Sequence, residues 1–205
     1  MRAAGELTKK GQRRVEEIIE ATLVCLARDG YAQTSLQRVA DEAGLHKRGV
    51  LYYYGTREQL FDAVVRRLGD RLFDQLETEL VTLDEPIAIV EQGYATLWGT
   101  VTTDRALLVA WFGLRAEAVT NPTLATTANY LVDRFRALVG RLIDDLLRRG
   151  GTLNLERGSL EVLVLACTQG LILDFLERGE TPDLLHAIKD FQGWLATVAV
   201  RPAGT

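Results

Sequence analysis

A chain of 205 residues, 47% hydrophobic and 25% charged, can bury a sizeable core, which excludes a disordered segment or a disulfide-framed miniprotein. Its two cysteines, Cys25 and Cys167, lie in apolar helical patterns and read as reduced core thiols. No Cys/His group has metal-ligand spacing, so neither a metal nor a cofactor is expected. The net charge of −4 argues against nucleic acid only until it is divided: ten Lys/Arg against seven Asp/Glu through Arg57 give +3, and the remainder carries −7, a basic head on an acidic body.

Residues 1–8 read as a loose arm with no apolar run, which does not fit a signal peptide. The longest apolar stretch, Leu160 to Leu176, is interrupted by Glu161, Gln169 and Asp174, so no membrane span is expected and the chain reads as cytoplasmic. From Lys9, the positions Val15, Ile18, Ile19, Thr22, Leu23 and Leu26 recur at helical spacing up to Asp29-Gly30, with Tyr31–Gln33 as a connector. Thr34 and Gln37 have capping-box spacing before a short second helix that stops at Gly44. A third short helix is expected from His46 to Tyr53. Thr56 and Gln59 offer a second capping box, opening a long helix with Leu60, Phe61, Val64, Val65, Leu68, Leu72, Phe73, Leu76 and Leu80 on its buried face.

Asp84-Glu85-Pro86 starts a fifth helix carrying Ile87, Val90, Tyr94, Leu97 and Trp98. A sixth is expected near 105–119, then Asn121-Pro122, then a long helix to about Arg149 closed by Gly150-Gly151. Two more span roughly 157–178 and 182–198. No alternating strand pattern is present, so the fold class is all-α with about nine helices.

The stretch Gln37 to Tyr53, QRVADEAGLHKRGVLYY, meets three demands of a helix-turn-helix. Ala40 lets two helices cross closely, Gly44 can take the positive φ of a tight turn, and Val50 locks the second helix back on the first. That second helix opens His46-Lys47-Arg48-Gly49, which puts basic donors on the turn that meets a major groove. Gly49 leaves room for backbone or a thymine methyl. Tyr52, Tyr53 and Tyr54 close it, and a tyrosine hydroxyl can donate to phosphate while its ring packs; one of the three, Tyr54 first, is expected in the core.

Thr34 to Val64, TSLQRVADEAGLHKRGVLYYYGTREQLFDAV, resembles the TetR family of regulators, over about the first third of the chain. The resemblance implies a DNA-binding head over residues 1–57 and a ligand-binding and dimerisation bundle over 58–205. It further implies phosphate held by Thr34 and Ser35, a base-reading position for Gln37, and base-facing positions for Lys47, Arg48 and Gly49. Tyr52, Tyr53 and Arg57 would meet phosphate. Leu51 departs from the family's usual Tyr, so one customary phosphate contact looks lost.

The helix from Leu160 to Leu173 is apolar nearly all round and needs covering on every side, which a second copy would supply. The resemblance adds that the last two helices form the dimer interface, with Gly170 a candidate crossing point, and that a homodimer on double-stranded DNA would read a pseudo-palindrome. It also implies a small-molecule effector, partly apolar, among Tyr94, Trp98, Trp111, Phe112, Arg115, Asn129, Asp133 and Gln169. Aromatic walls with a few polar groups suit such a pocket. The effector would shift the protein to a state that releases the operator, with the fourth helix as the lever. An enzyme is disfavoured. No phosphate-cradling loop or nucleophile elbow occurs, and His46 and His186 lie far apart in the sequence. A helical protein-interaction module and an activator of the same fold are the other readings.

Overall fold

The computed structural model describes residues 8–80, 83, 85–103 and 105–200, without the side chains of 86, 87, 100, 101, 199 and 200. Residues 1–7 of the expected arm, Asp84 and the side chain of Ile87 lie outside the described residues. Among those described, nine α-helices run α1 (Lys9–Gln33), α2 (Leu36–Glu42), α3 (Lys47–Tyr54), α4 (Arg57–Leu80), α5 (Pro86–Thr103), α6 (Arg105–Ala118), α7 (Ala125–Arg148), α8 (Arg157–Arg178) and α9 (Pro182–Val198). The chain is an all-α protein with an N-terminal helix-turn-helix. One departure from the expected elements is a two-residue antiparallel ladder, β1 (Thr152–Leu153) with β2 (Ala199–Val200). Two residues are too few for an alternating pattern to register.

Packing divides the chain into two units, residues 1–68 with 105–129 and residues 69–104 with 130–205. In the first unit, Ile18, Ile19 and Cys25 of α1 meet Val39 and Ala40 of α2, Val50 of α3 and Leu60 and Val64 of α4 in one buried cluster. The helix α1 opens with the Thr8 hydroxyl accepting from Gly11 N at 3.2 Å. It breaks at Gly30 (φ 72°, ψ 176°), and Tyr31–Gln33, expected as a connector, is one further helical turn. The helix α6 packs on α1. At Gly113 it comes so near that a Cβ would lie 2.8 Å from Tyr31 Cβ. Trp111 is buried, with its indole N–H donating to the Ala128 carbonyl at 3.2 Å.

In the second unit, Tyr94 of α5, Ile143 of α7, Leu160 and Val164 of α8, and Leu184, Ile188, Leu195 and Val198 of α9 form the core. The Tyr94 hydroxyl, buried beside Thr168, shares a 2.8 Å hydrogen bond with it, and burial pushes the phenol's pKa well up. Arg134 of α7 reaches three carboxylates of α4, Asp70 at 2.7 Å, Asp74 at 3.2 Å and Glu77 at 3.3 Å. The start of α8 is capped by Glu156, whose carboxylate accepts from Gly158 N at 3.0 Å and Ser159 N at 2.7 Å.

Candidate nucleic-acid interface and apolar cavity

The turn between α2 and α3 has the geometry its residues predict. Leu45 N donates to Ala40 O at 2.8 Å, Gly44 takes φ +62°, and Ala40 and Val50 are fully buried. A side chain at 44 would strain that left-handed backbone. The helix α3 therefore stands with Val50 inward and its first turn outward. Lys47 and Arg48 are exposed, and among the described residues neither enters an ion pair. Other cations of the head are spent locally: Arg28 binds Asp29 and Glu42, and Arg38 binds Asp29 at 3.0 Å. The hydrogen bond from Arg28 holds the Asp29 carboxyl below its usual range. Gly49 is half-buried, and a Cβ there would meet only Leu45 Cβ, at 4.0 Å.

The remaining head residues separate into surface and interior. Ser35 is exposed and caps α2, its hydroxyl accepting from Arg38 N at 3.3 Å. Thr34 was the expected cap, but the helix starts one residue later. Thr34 is 1% exposed, with its hydroxyl donating to Gly30 O at 2.7 Å. Gln37 is exposed and bonds Asp41 at 2.7 Å, so it does not complete a capping box. The box at α4 is half made, with Thr56 Oγ1 accepting from Gln59 N at 3.1 Å. Tyr52 is 73% exposed and meets Tyr53 edge-on at 5.0 Å, while Tyr53 and Tyr54 rest against the core.

Arg57 turns inward. Its Nε donates to Thr34 O at 2.7 Å, a second guanidinium nitrogen donates to Tyr31 O, and the group lies 4.3 Å from the Tyr31 ring centroid and 4.8 Å from that of Phe61. In this arrangement it clamps the end of α1 to the start of α4, with two of its five N–H donors engaged by carbonyls.

The eight residues expected around an effector divide between the units. Trp111, Phe112, Arg115 and Asn129 belong to the first, Tyr94, Trp98, Asp133 and Gln169 to the second. Arg115 stacks 5.2 Å from the Trp111 ring, and Asn129 is exposed. The second unit contains an apolar cavity of about 160 Å³, and of its four expected residues Tyr94 alone lines it. Trp98 packs against Phe175 at 5.3 Å with its indole N–H buried and without a partner among the described residues, Gln169 is half-buried, and Asp133 is exposed near Arg136. The wall is built from aliphatic residues of α4, α5, α7, α8 and α9, among them Leu76, Leu80, Leu138, Val139 and Val164. Its two charged residues, Asp145 and Arg149, pair at 2.7 Å and keep about a third of their side-chain surface in solvent, which marks them as its solvent-facing edge.

Residues 18–64 match the profile described as "Bacterial regulatory proteins, tetR family". This N-terminal segment is a tetR-family one. A 70-residue stretch is 29% identical to the HTH-type transcriptional regulator RutR of Escherichia coli K12, covering 34% of this chain and 33% of that protein. The match thus spans about a third of the curated relative. Over nearly the whole chain the fold is that of a TetR transcription regulator from Haloarcula marismortui (TM-score 0.78, 23% identity, 92% of this chain and 99% of that one). It also matches a putative transcriptional regulator from Saccharomonospora viridis in complex with choline (TM-score 0.78, 18% identity, 93% and 100%).

Among the described residues, one face of α8 stays uncovered. Val162 is 57% exposed, Leu163 41% and Leu173 40%, with Gly170 open beside them. Cys167 is exposed on the same helix, so only Cys25 is the core thiol expected of both. By length and hydropathy α8 could cross a membrane, yet Leu160, Val164, Thr168 and Ile172 are buried in the second unit and Arg157–Glu161 pair on its first turns. The cavity wall escaped sequence reasoning because an aliphatic side chain has the same helical periodicity whether it fills a core or lines a void. Gly93 is a weak signal, since a glycine inside a helix is unfavourable without a reason of space, and other helices of the chain carry interior glycines too.

Proposed function

We propose that the chain is a homodimeric, effector-controlled repressor. Residues 1–57 grip a pseudo-palindromic operator, and residues 58–205 bind a small molecule and the second copy. The observation that carries this reading is the outward first turn of α3, with Lys47 and Arg48 exposed, and unpaired among the described residues, on a helix-turn-helix frame. They and Gly49 face the bases, while Ser35, Gln37, Tyr52 and Tyr53 stand at the flanks for phosphate and base edges. Thr34 and Arg57 support the frame from within. The uncovered face of α8 receives its mate, which sets half-sites about one helical turn, roughly 34–36 Å, apart. Effector in the cavity favours a release state, and α4 is the covalent route, carrying Leu60 and Val64 of the head core and Leu76 and Leu80 of the cavity wall.

Selection of bound genomic fragments followed by a gel-shift salt series tests the proposal. A recovered palindrome, affinity falling steeply with salt, and loss of sequence preference in the Lys47→Ala/Arg48→Ala double variant are expected. An unchanged preference in that variant removes α3 from the interface and the proposal with it.

A further inference from the structure

The cavity is unusual in what it lacks. Among the described residues its wall offers no free polar group away from solvent: the Tyr94 hydroxyl is engaged by Thr168, and the charged pair Asp145–Arg149 keeps about a third of its side-chain surface in solvent. A charge carried inward would lose its water without a partner. The volume, about 160 Å³, is close to the roughly 150 Å³ of an apolar cavity that takes up benzene. Part of the space exists because α5 carries Gly93 in its interior. A Cβ there would lie 3.5 and 3.7 Å from the Leu80 methyls, ordinary contact, so alanine fits and a longer side chain must enter the void. Helix propensity alone favours alanine at such a position, so the glycine buys space.

We propose that this cavity takes an uncharged hydrocarbon molecule with its single polar end at the Asp145–Arg149 edge, and that Gly93 sets how long a chain fits. The proposal rests on the reading of the protein as effector-controlled. It names the chemistry of that effector: a short aliphatic or single-ring compound rather than a cation, a sugar or a polyanion.

A series of 1-alkanols from butanol to decanol, titrated calorimetrically into the full chain without DNA, provides the test. Each added methylene that is buried should tighten binding roughly fourfold until the cavity is full, after which the gain stops. Gly93→Ala should bring the plateau at a shorter alkanol, and Gly93→Leu should abolish the series. If the leucine variant does not fold, the alanine variant still decides. A flat series, a series that climbs through decanol and ignores Gly93→Ala, or tighter binding of octanoate or choline than of octanol would each overturn the assignment. A parallel gel shift separates the two levels. Operator binding with a flat alkanol series defeats the effector class alone, whereas a chain that binds alkanols and no DNA defeats the functional reading.

Discussion

Lys47 and Arg57 are both cations on the first turn of a helix of the head, and the structure gives them opposite work. Lys47 projects into solvent, whereas Arg57 reaches two carbonyls and two rings. Replacing Arg57 with alanine orphans the carbonyls of Tyr31 and Thr34 and removes the ring contacts. The expected loss is about 2–3 kcal/mol of unfolding free energy, read from urea denaturation, and lysine, lacking the planar fork, should restore little of it. Lys47→Ala should stay within about 0.5 kcal/mol of the parent in the same measurement while weakening DNA binding and lowering the salt slope by about one. The residues of the turn, Ala40, Gly44 and Val50, were legible in the sequence because each meets a steric demand that few residue types satisfy. The direction of Arg57 was not, because a cation at a helix start is as compatible with a buried carbonyl as with a phosphate, and only the fold brings Tyr31 and Thr34 within its reach.

Helix positions were readable from periodicity and caps, and most bounds agree to within a residue or two. Deviations came where a cap had competitors: Ser35 took the role expected of Thr34 because Thr34 turns inward to the Gly30 carbonyl. Which helices pack together was less legible, since apolar stripes state that a face is buried and not against what. The contact of α6 with α1 depends on Gly113, and the added carbon in Gly113→Ala meets the Cβ of Tyr31, an atom fixed to the backbone. A destabilisation of about 1–3 kcal/mol is expected by calorimetry. The cap of α8 gives a pH signature. Hydrogen bonds from the Gly158 and Ser159 amides hold the Glu156 carboxyl below its ordinary 4.5. A depressed folded value means stability that is present above the unfolded value and lost as pH falls through the folded one. Glu156→Gln should therefore melt below the parent at neutral pH, and the gap between the two melting temperatures should close as pH drops below about 4.

At the scale of the molecule, the open face of α8 is the feature that demands a partner. Leu163→Glu places a charge on that face, away from the core of its own protomer. If the parent is the proposed homodimer, sedimentation should show the variant as a monomer beside it. Operator affinity should fall at least tenfold, because one half-site then binds alone, while the helical content stays unchanged. That α8 carries more apolar surface than one protomer covers could be read from an all-round apolar helix; which residues stay open could not, because burial inside the protomer and burial between protomers draw on the same side chains.

The first packing unit is closed by residues 105–129, so its sequence is discontinuous. A ribosome that has released only the first 68 residues has therefore produced α1 to α3 and part of α4 without the helix that covers Tyr31. The head completes its packing late in synthesis, after α6 has emerged from the exit tunnel. A nascent chain halted before then would expose the apolar side of α1 to chaperones, and an N-terminal fragment expressed alone should inherit the same weakness.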